Sequence, residues 1–127
     1  MNTKTKKSNL CVMQVLPALV SGGVERGTID IAEALIQNHH KAIVVSSGGS
    51  MVTQLEQLGA THIKLPVQSK NPFTMRQNAS TLKKLILDHK VDIVHARSRA
   101  PAWSCFWATQ KLNIPYITTF HGTYGHQ

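Results

Sequence analysis

The sequence predicts an α/β fold, with a doubly wound, all-parallel sheet and helices on both of its faces. Five short apolar, β-branched segments alternate with amphipathic helical segments, and the links between them are short. Right-handed crossovers between such strands give the expected sheet order 3-2-1-4-5, in which the winding reverses between strands 1 and 4. Small or polar residues follow four of the strands, at the edge where sheets of this class bind ligands.

A glycine turn joins strand 1 to helix 1. Strand 1 is predicted over residues 10–16, after a flexible basic arm over residues 1–9, and helix 1 over residues 24–38. Because the turn Ser21-Gly22-Gly23 lacks bulky side chains, its N–H groups can approach an anionic or hydroxyl-rich ligand above the helix N-terminus. With Gly22 as the N-cap, Glu25 is the third helical residue and can accept hydrogen bonds from the free N–H groups.

Two nucleotide-binding motifs are similar to this turn, and the sequence argues against both. A dinucleotide site needs G-x-G-x-x-G and an acidic residue roughly 20 positions later, and neither is present. The spacing of Gly22 and Gly27-Thr28 approaches a Walker loop, but the basic residue there is Arg26 and lies too early. A glycine turn that only lets helix 1 pack on the sheet remains an alternative.

The later elements repeat the alternation of strand and helix. Pro66 ends strand 3, and Pro72 suits the first position of helix 3. Helix 4 is rich in aromatic residues, which are assigned to the core. The predicted bounds are residues 42–45 for strand 2, 62–65 for strand 3, 92–96 for strand 4, 101–112 for helix 4 and 116–120 for strand 5.

Helical spacing predicts which faces of the helices are buried. Helix 1 is expected to bury Val24, Thr28, Ile31, Ala32 and Leu35. Helix 4 is expected to bury Trp103, Phe106 and Trp107. Helix 3 carries Arg76, Lys83, Lys84 and Lys90 on or near its outer face. That basic face would be solvated or would meet an anionic membrane surface.

Composition limits the classes of function. A chain of 127 residues with 42% hydrophobic residues can bury one core, and its net charge of +8 suits partners that carry phosphate. Cys11 and Cys105 fall in a predicted strand and helix, as buried thiols would. No apolar stretch reaches the roughly 18 residues of a membrane span, so we expect a cytoplasmic protein, peripheral on the inner face of the membrane where it meets lipid. A nucleic-acid binder is not supported, because no basic strand rich in aromatic residues is present.

Four different short motifs lie at the carboxyl ends of predicted strands 1, 2, 4 and 5. They are S-G-G-V-E-R over residues 21–26, V-V-S-S-G-G over 44–49, D-I-V-H-A-R-S over 92–98 and T-T-F-H-G-T over 118–123. In this order and spacing, residues 10–125 resemble the N-terminal domain of family-four, GT-B-fold glycosyltransferases, a group that includes lipopolysaccharide and phosphoinositol sugar transferases. The resemblance implies that residues 10–127 form one Rossmann-like half of a GT-B fold. The C-terminal donor domain of the family is absent from these residues.

The resemblance also implies a reaction and its participants. Family members transfer a sugar from a nucleotide-sugar, with retention at the anomeric carbon and without a bound metal or other cofactor. The N-terminal half receives the acceptor, here a cell-envelope glycolipid or polysaccharide precursor. A separately encoded C-terminal half is a candidate partner. The alternative function is a truncated, non-catalytic module that binds acceptor or membrane.

Matching positions give the candidate site residues. His121 would be catalytic and face the donor sugar. The substrate-binding residues would be Gly22, Gly23, Glu25, Arg26, Arg97, Arg99, Gly122 and Thr123. The amides of the glycine turn suit a diphosphate, and the two arginines suit a phosphorylated or lipid-linked acceptor. A structural histidine and plain surface arginines remain alternatives, and His95 is expected to pack at the end of strand 4.

Overall fold

A sheet of five parallel strands in the order β3-β2-β1-β4-β5 organises the chain, as the sequence predicts. This computed structural model describes residues 9–19 and 23–119. The described elements are β1 (Cys11–Val15), α1 (Gly23–Gln37), β2 (Lys41–Ser46), α2 (Val52–Gln57), β3 (Thr61–Lys64), α3 (Pro72–Asp88), β4 (Ile93–Ala96), α4 (Arg99–Thr109) and β5 (Tyr116–Thr118).

The central strand β1 fixes the position of its neighbours. All five of its residues are buried, as expected for a strand that helices cover on both faces. Val15 pairs with Val45 of β2 on one side and with Ala96 of β4 on the other. The ladder continues past the strand ends, since the N–H of Arg97 donates to the Val15 carbonyl at 2.8 Å. The segments that follow β1 and β4 therefore begin side by side.

Two apolar clusters show which helices share a face of the sheet. In one cluster, residues of α3 and α4 pack with Met13 and Val15 of β1. In the other, residues of α1 and α2 pack with Leu16 and with Val44 of β2. Helices α3 and α4 also pack against each other. The helices thus change face between β1 and β4, which is the predicted reversal of the winding.

Helix α3 begins where the sequence predicts. Pro72 is its first residue, and the Oδ1 of Asn71 accepts from the N–H groups of Phe73 at 2.9 Å and Thr74 at 3.3 Å. This cap satisfies two of the donors that a helix leaves free at its N-terminus. It also fixes the first turn of α3, where the Phe73 side chain is exposed.

The prediction for the buried face of α1 is wrong at one residue. Ile31 is exposed, and Ile29 is buried instead. Ile31 lies about 100° around the helix from the buried Ala32, outside the stripe that meets the sheet.

The prediction that Trp103, Phe106 and Trp107 lie in the core is also wrong, because all three are exposed. The residues of α4 that pack in the core are small, including Ala102, Cys105 and Ala108. Small side chains let the helix lie close to the sheet, and the aromatic residues then fall on the opposite side of the helix.

Both cysteines are buried, as predicted. Burial raises the pKa of the Cys105 thiol, so the thiolate is strongly disfavoured. Among the helices that the structure describes, none is long and apolar enough to cross a membrane.

Candidate functional site

The carboxyl edge of the sheet brings some of the predicted site residues together and separates others. Gly23, Glu25 and Arg26 form part of the first turn of α1, and Arg97 directly follows β4. Arg99 is the first residue of α4. The predicted residues Gly22, His121, Gly122 and Thr123 lie outside the described residues.

Arg97 is buried at the point where the winding reverses. Arg97 is only 7% exposed, and its Nη1 donates to the Oε1 of Gln14 at 3.3 Å. The buried Nε has no hydrogen-bond partner among the residues that the structure describes. Gln14 is thus the only side chain among the described residues that accepts from this guanidinium, and no carboxylate pairs with it. Burial lowers the pKa of Arg97, but an arginine side chain stays charged in proteins.

Gly27 of α1 makes room for this guanidinium. A Cβ at Gly27 would lie 3.2 Å from the Nη2 of Arg97, which is tighter than ordinary van der Waals contact. A glycine inside a helix costs roughly 0.5–1 kcal/mol relative to alanine. The close approach of Arg97 gives a physical reason for a glycine at this position.

Gln14 of β1 bonds to both Arg97 and helix α1. Its side chain is fully buried in the strand, and its Nε2 donates to the backbone carbonyl of Thr28 at 3.1 Å. The Thr28 hydroxyl in turn donates to the Val24 carbonyl at 2.9 Å. We call Gln14, Gly27, Thr28 and Arg97 the switch point, because they join β1, β4 and α1 where the winding reverses.

The electrostatics of the switch point favour an anion. The N-terminal end of a helix carries free N–H groups and a partial positive charge, and here a full positive charge lies against the same helix. The first turn of α1 supplies one acidic residue, the half-buried Glu25, while Arg26 there is exposed. A phosphate or carboxylate would give the guanidinium an anionic partner.

Sequence reasoning missed Gln14 and Gly27 as site residues. A polar amide in the middle of the apolar strand C-V-M-Q-V is a signal that could have been used, because a buried amide needs hydrogen-bond partners. In the sequence, Gly27 stands out only through its spacing in a Walker-like loop.

The turn after β2 braces the segment that leads from β1 towards α1. The Ser47 hydroxyl donates to the Pro17 carbonyl at 2.7 Å, and the N–H of Leu19 donates to the Gly48 carbonyl at 2.8 Å. Gly49 has a φ of 149°, and a Cβ there would collide with the backbone of Leu19. The small residues of this turn therefore hold the two loops against each other.

Arg99 and His95 do not join the switch point. Arg99 is exposed and lines a groove with Ala102, Trp103, Phe106 and Tyr116. His95 is half-buried, and its Nε2 lies 3.0 Å from the Thr119 hydroxyl just beyond β5, so it packs at the strand end as predicted. Within the described ranges, no cluster of three His, Cys, Asp or Glu side chains could hold a metal ion.

Comparison with known proteins identifies relatives of the chain. The family model for Glycosyltransferase Family 4 matches residues 21–127. A solved glycosyltransferase from Rickettsia africae is 46% identical, with a TM-score of 0.84, and the match covers 95% of this chain and 32% of that chain. This chain therefore spans about a third of the length of that relative.

Two more distant structures share the fold. MurG from Acinetobacter baumannii is 18% identical with a TM-score of 0.68, over 87% of this chain and 35% of that chain. The C-terminal domain of a Pyrococcus furiosus hydrogenase is 14% identical with a TM-score of 0.65, over 93% of this chain and 96% of that chain. At these identities the likeness concerns the fold alone. No curated protein was found to match the chain.

Proposed function

Because the chain belongs to Glycosyltransferase Family 4, we propose that it is the acceptor-side, N-terminal domain of a retaining glycosyltransferase. A sugar would pass from a nucleotide-sugar to a cell-envelope glycolipid or polysaccharide precursor of the lipopolysaccharide type, without a metal or other cofactor. The protein would work in the cytoplasm or at the inner face of the membrane. The donor-binding half would lie outside residues 10–127 or be encoded separately.

The observation that carries this proposal is the buried guanidinium of Arg97 at the switch point. It is 7% exposed, its Nε has no hydrogen-bond partner within residues 9–19 and 23–119, and it lies against the backbone of α1 at Gly27. Burying an unpaired charge is costly, and a bound anion would offset that cost. Nucleotide-sugars carry a diphosphate, and many glycolipid precursors carry a phosphate, so both substrates of this reaction offer such a group.

The positive charge at the switch point also suits the chemical step. When the bond between the anomeric carbon and the donor diphosphate breaks, the electron pair leaves with the diphosphate. Donors that face the growing negative charge stabilise the transition state more than the bound substrate, and so increase kcat. In this proposal the amides of Gly22 and Gly23 face the diphosphate, beside Glu25 and Arg26 of the same turn.

The two arginines then have different roles. Arg97, buried at the switch point, would hold an acidic group of the substrate that reaches it. Arg99, exposed at the start of α4, would contact only the outer part of a phosphorylated or lipid-linked acceptor. His121, with Gly122 and Thr123, follows β5, the neighbour of β4 in the sheet. His121 would face the donor sugar.

A chimera tests the proposal. Residues 1–127 would be joined to the remaining part of the Rickettsia africae glycosyltransferase, and release of nucleoside diphosphate would be measured with a panel of nucleotide-sugars. We expect turnover with at least one donor, and a kcat at least tenfold lower in Arg97→Gln than in the matched control Arg99→Gln. Equal kcat values for the two variants would contradict the role of Arg97. Absence of turnover with every donor would contradict the function.

The second candidate function is a non-catalytic module that binds acceptor or membrane. It is favoured by the exposed basic residues Arg76, Lys83 and Lys84 of α3, which suit an anionic membrane surface. Sugar transfer depends on holding donor and acceptor in one cleft, because positioning supplies much of the rate. We therefore expect no transfer by the 127-residue chain alone, and sugar transfer by the purified chain would contradict this expectation.

A further inference from the structure

A series of hydrogen bonds connects β3 to the segment that follows β1. Ser46, at the end of β2, is fully buried, and its Oγ lies 2.7 Å from the Nε2 of His62 in β3. The same Oγ accepts from the backbone N–H of Gly48 at 3.0 Å. The Gly48 carbonyl accepts in turn from the N–H of Leu19 at 2.8 Å. We call His62, Ser46, Gly48 and Leu19 the β2 relay.

The β2 relay ends on the stretch of chain that leads from the switch point to α1. That stretch begins after Val15, whose carbonyl accepts from the N–H of Arg97. Leu19 lies four residues before the start of α1, and its side chain is fully buried with residues of α1 and α2. Its carbonyl accepts from the N–H of Met51 at 2.9 Å. The loop after β2 therefore helps to set where the chain enters the first turn of α1.

The buried hydroxyl of Ser46 needs an acceptor for its hydrogen. A serine hydroxyl donates one hydrogen and has two lone pairs, of which the Gly48 N–H uses one. Among the described residues, only the His62 ring can accept the hydrogen. Nε2 can accept only in a neutral ring with its hydrogen on Nδ1, because both nitrogens of a protonated ring are donors. Protonation of His62 would therefore leave a buried hydroxyl without an acceptor, which is unfavourable.

The surroundings of His62 also keep its ring neutral. Burial of this half-buried side chain lowers its pKa below the usual 6.5. Among the described residues, the charged groups that act on the ring are Glu56 of α2, which raises the pKa, and Lys64 of β3, which lowers it. The ring is therefore neutral at pH 7 and takes up a proton only in acidic solution.

We propose that His62 is a positioning residue for the anion site at the switch point: the neutral ring holds residues 17–19 in place through Ser46 and Gly48, and the protonated ring loosens them. This inference rests on the proposed function, in which the first turn of α1 and Arg97 bind the same phosphate group. An anion held by both binds less tightly when one of them is poorly positioned. The effect is partial, because the Ser47 hydroxyl also holds this segment through the Pro17 carbonyl at 2.7 Å.

Hydrogen exchange followed by nuclear magnetic resonance tests the β2 relay without a ligand. In the 127-residue chain we expect the protection factor of the Leu19 N–H to fall at least threefold between pH 7.5 and pH 5.0. His62→Gln keeps an acceptor oxygen and cannot titrate, so it should give the same protection at both pH values. His62→Leu has no acceptor and should lower the protection at least threefold at both. The Leu16 N–H, which donates to Val45 outside the relay, should stay equally protected throughout.

Calorimetric titration with inorganic diphosphate tests the connection to the anion site. Diphosphate itself gains protons over this pH range, so the unsubstituted chain and His62→Gln are compared at the same pH. We expect equal dissociation constants at pH 7.5 and, at pH 5.0, at least threefold weaker binding by the unsubstituted chain than by His62→Gln. His89→Gln is the control, because His89 is exposed at the end of α3. It should bind like the unsubstituted chain at both pH values.

The possible results separate this inference from the proposed function. Diphosphate binding that is equal in the unsubstituted chain and His62→Gln at both pH values would overturn the inference and leave the anion site intact. Equal protection of Leu19 in the unsubstituted chain, His62→Gln and His62→Leu would overturn it as well. No binding of diphosphate by any of these proteins would contradict the anion site itself, and the inference with it.

Discussion

The switch point differs from the groove that Arg99, Ala102, Trp103, Phe106 and Tyr116 line, which we call the aromatic groove. At the switch point a charged guanidinium is buried and pairs with no carboxylate of the described part of the chain, whereas in the groove aromatic side chains are exposed to water. Free-energy considerations favour the reverse arrangement in an isolated domain, with charges outside and aromatic groups inside. The two regions therefore suit partners of different chemistry: an anion at the switch point and an apolar surface in the groove.

The comparison first raises the question of which region His121 serves, since it follows β5. We expect His121→Ala, in a chain that also carries the donor half, to lower kcat by about ten- to a thousandfold. That range corresponds to the roughly 1–4 kcal/mol lost when a polar contact to the transition state is removed. Steady-state kinetics and a thermal melt would be measured together. A variant with nearly full kcat that melts many degrees lower would show that His121 is structural and does not act with the switch point.

The buried charge gives a second prediction, on stability. Replacing a buried, poorly paired ion by an apolar residue of similar size is often stabilising by about 1–4 kcal/mol. We therefore expect Arg97→Met to raise the Tm of the 127-residue chain by several degrees, even though Gln14 loses a hydrogen bond. Inorganic diphosphate should raise the Tm of the unsubstituted chain and leave that of Arg97→Met unchanged. A large loss of stability in Arg97→Met without diphosphate would mean that the guanidinium is already well satisfied.

The fold was largely predictable because its signals are local and repeated. Apolar runs mark the strands, and their alternation with helices leads to a parallel sheet with one possible handedness of crossover. The start of α3 was predictable for the same reason, since Pro72 suits the first helical position wherever it occurs. Each of these predictions depends only on residues that are near one another in the sequence.

The two regions compared above were harder to predict because they depend on distances between residues that are far apart in the sequence. Arg97 can be buried because Gly27 of α1 has no side chain and because Gln14 of β1 accepts a hydrogen bond from the guanidinium. Both residues are far from Arg97 in the sequence. On α4, helical spacing allows either the aromatic or the small residues to face the sheet. The close packing of Ala102, Cys105 and Ala108 decides this in favour of the small residues. His121 lies outside the described residues, so its role stays a prediction.

A substitution at Gly27, with a control at the other end of α1, tests the account of the switch point. A Cβ at Gly27 would press on Nη2 of Arg97 at 3.2 Å, whereas Gln37 is exposed at the last position of α1. We expect Gly27→Ala to weaken the binding of inorganic diphosphate by about three- to tenfold, and Gln37→Ala to change it little. Calorimetric titration would measure both. The stability of Gly27→Ala should change little, because the helical preference of alanine, about 1 kcal/mol, offsets the displaced guanidinium. Equal affinities for the two variants would contradict a site that depends on the position of Arg97.

The smallest expected effect separates the aromatic groove from the basic face of α3. Arg76, Lys83 and Lys84 are exposed on that helix. Each basic residue near an anionic surface contributes at most about 1 kcal/mol, and physiological salt screens it over roughly 8 Å. We expect weak binding to vesicles of phosphatidylglycerol at low salt, reduced by Lys83→Gln with Lys84→Gln, and none to vesicles of phosphatidylcholine. Sedimentation with vesicles would measure it, and Trp103→Ala should leave it unchanged. If Trp103→Ala abolished binding to both kinds of vesicle while the lysine variant kept it, the aromatic groove would be a lipid site, and the contrast between a charged and an apolar partner would have to be redrawn.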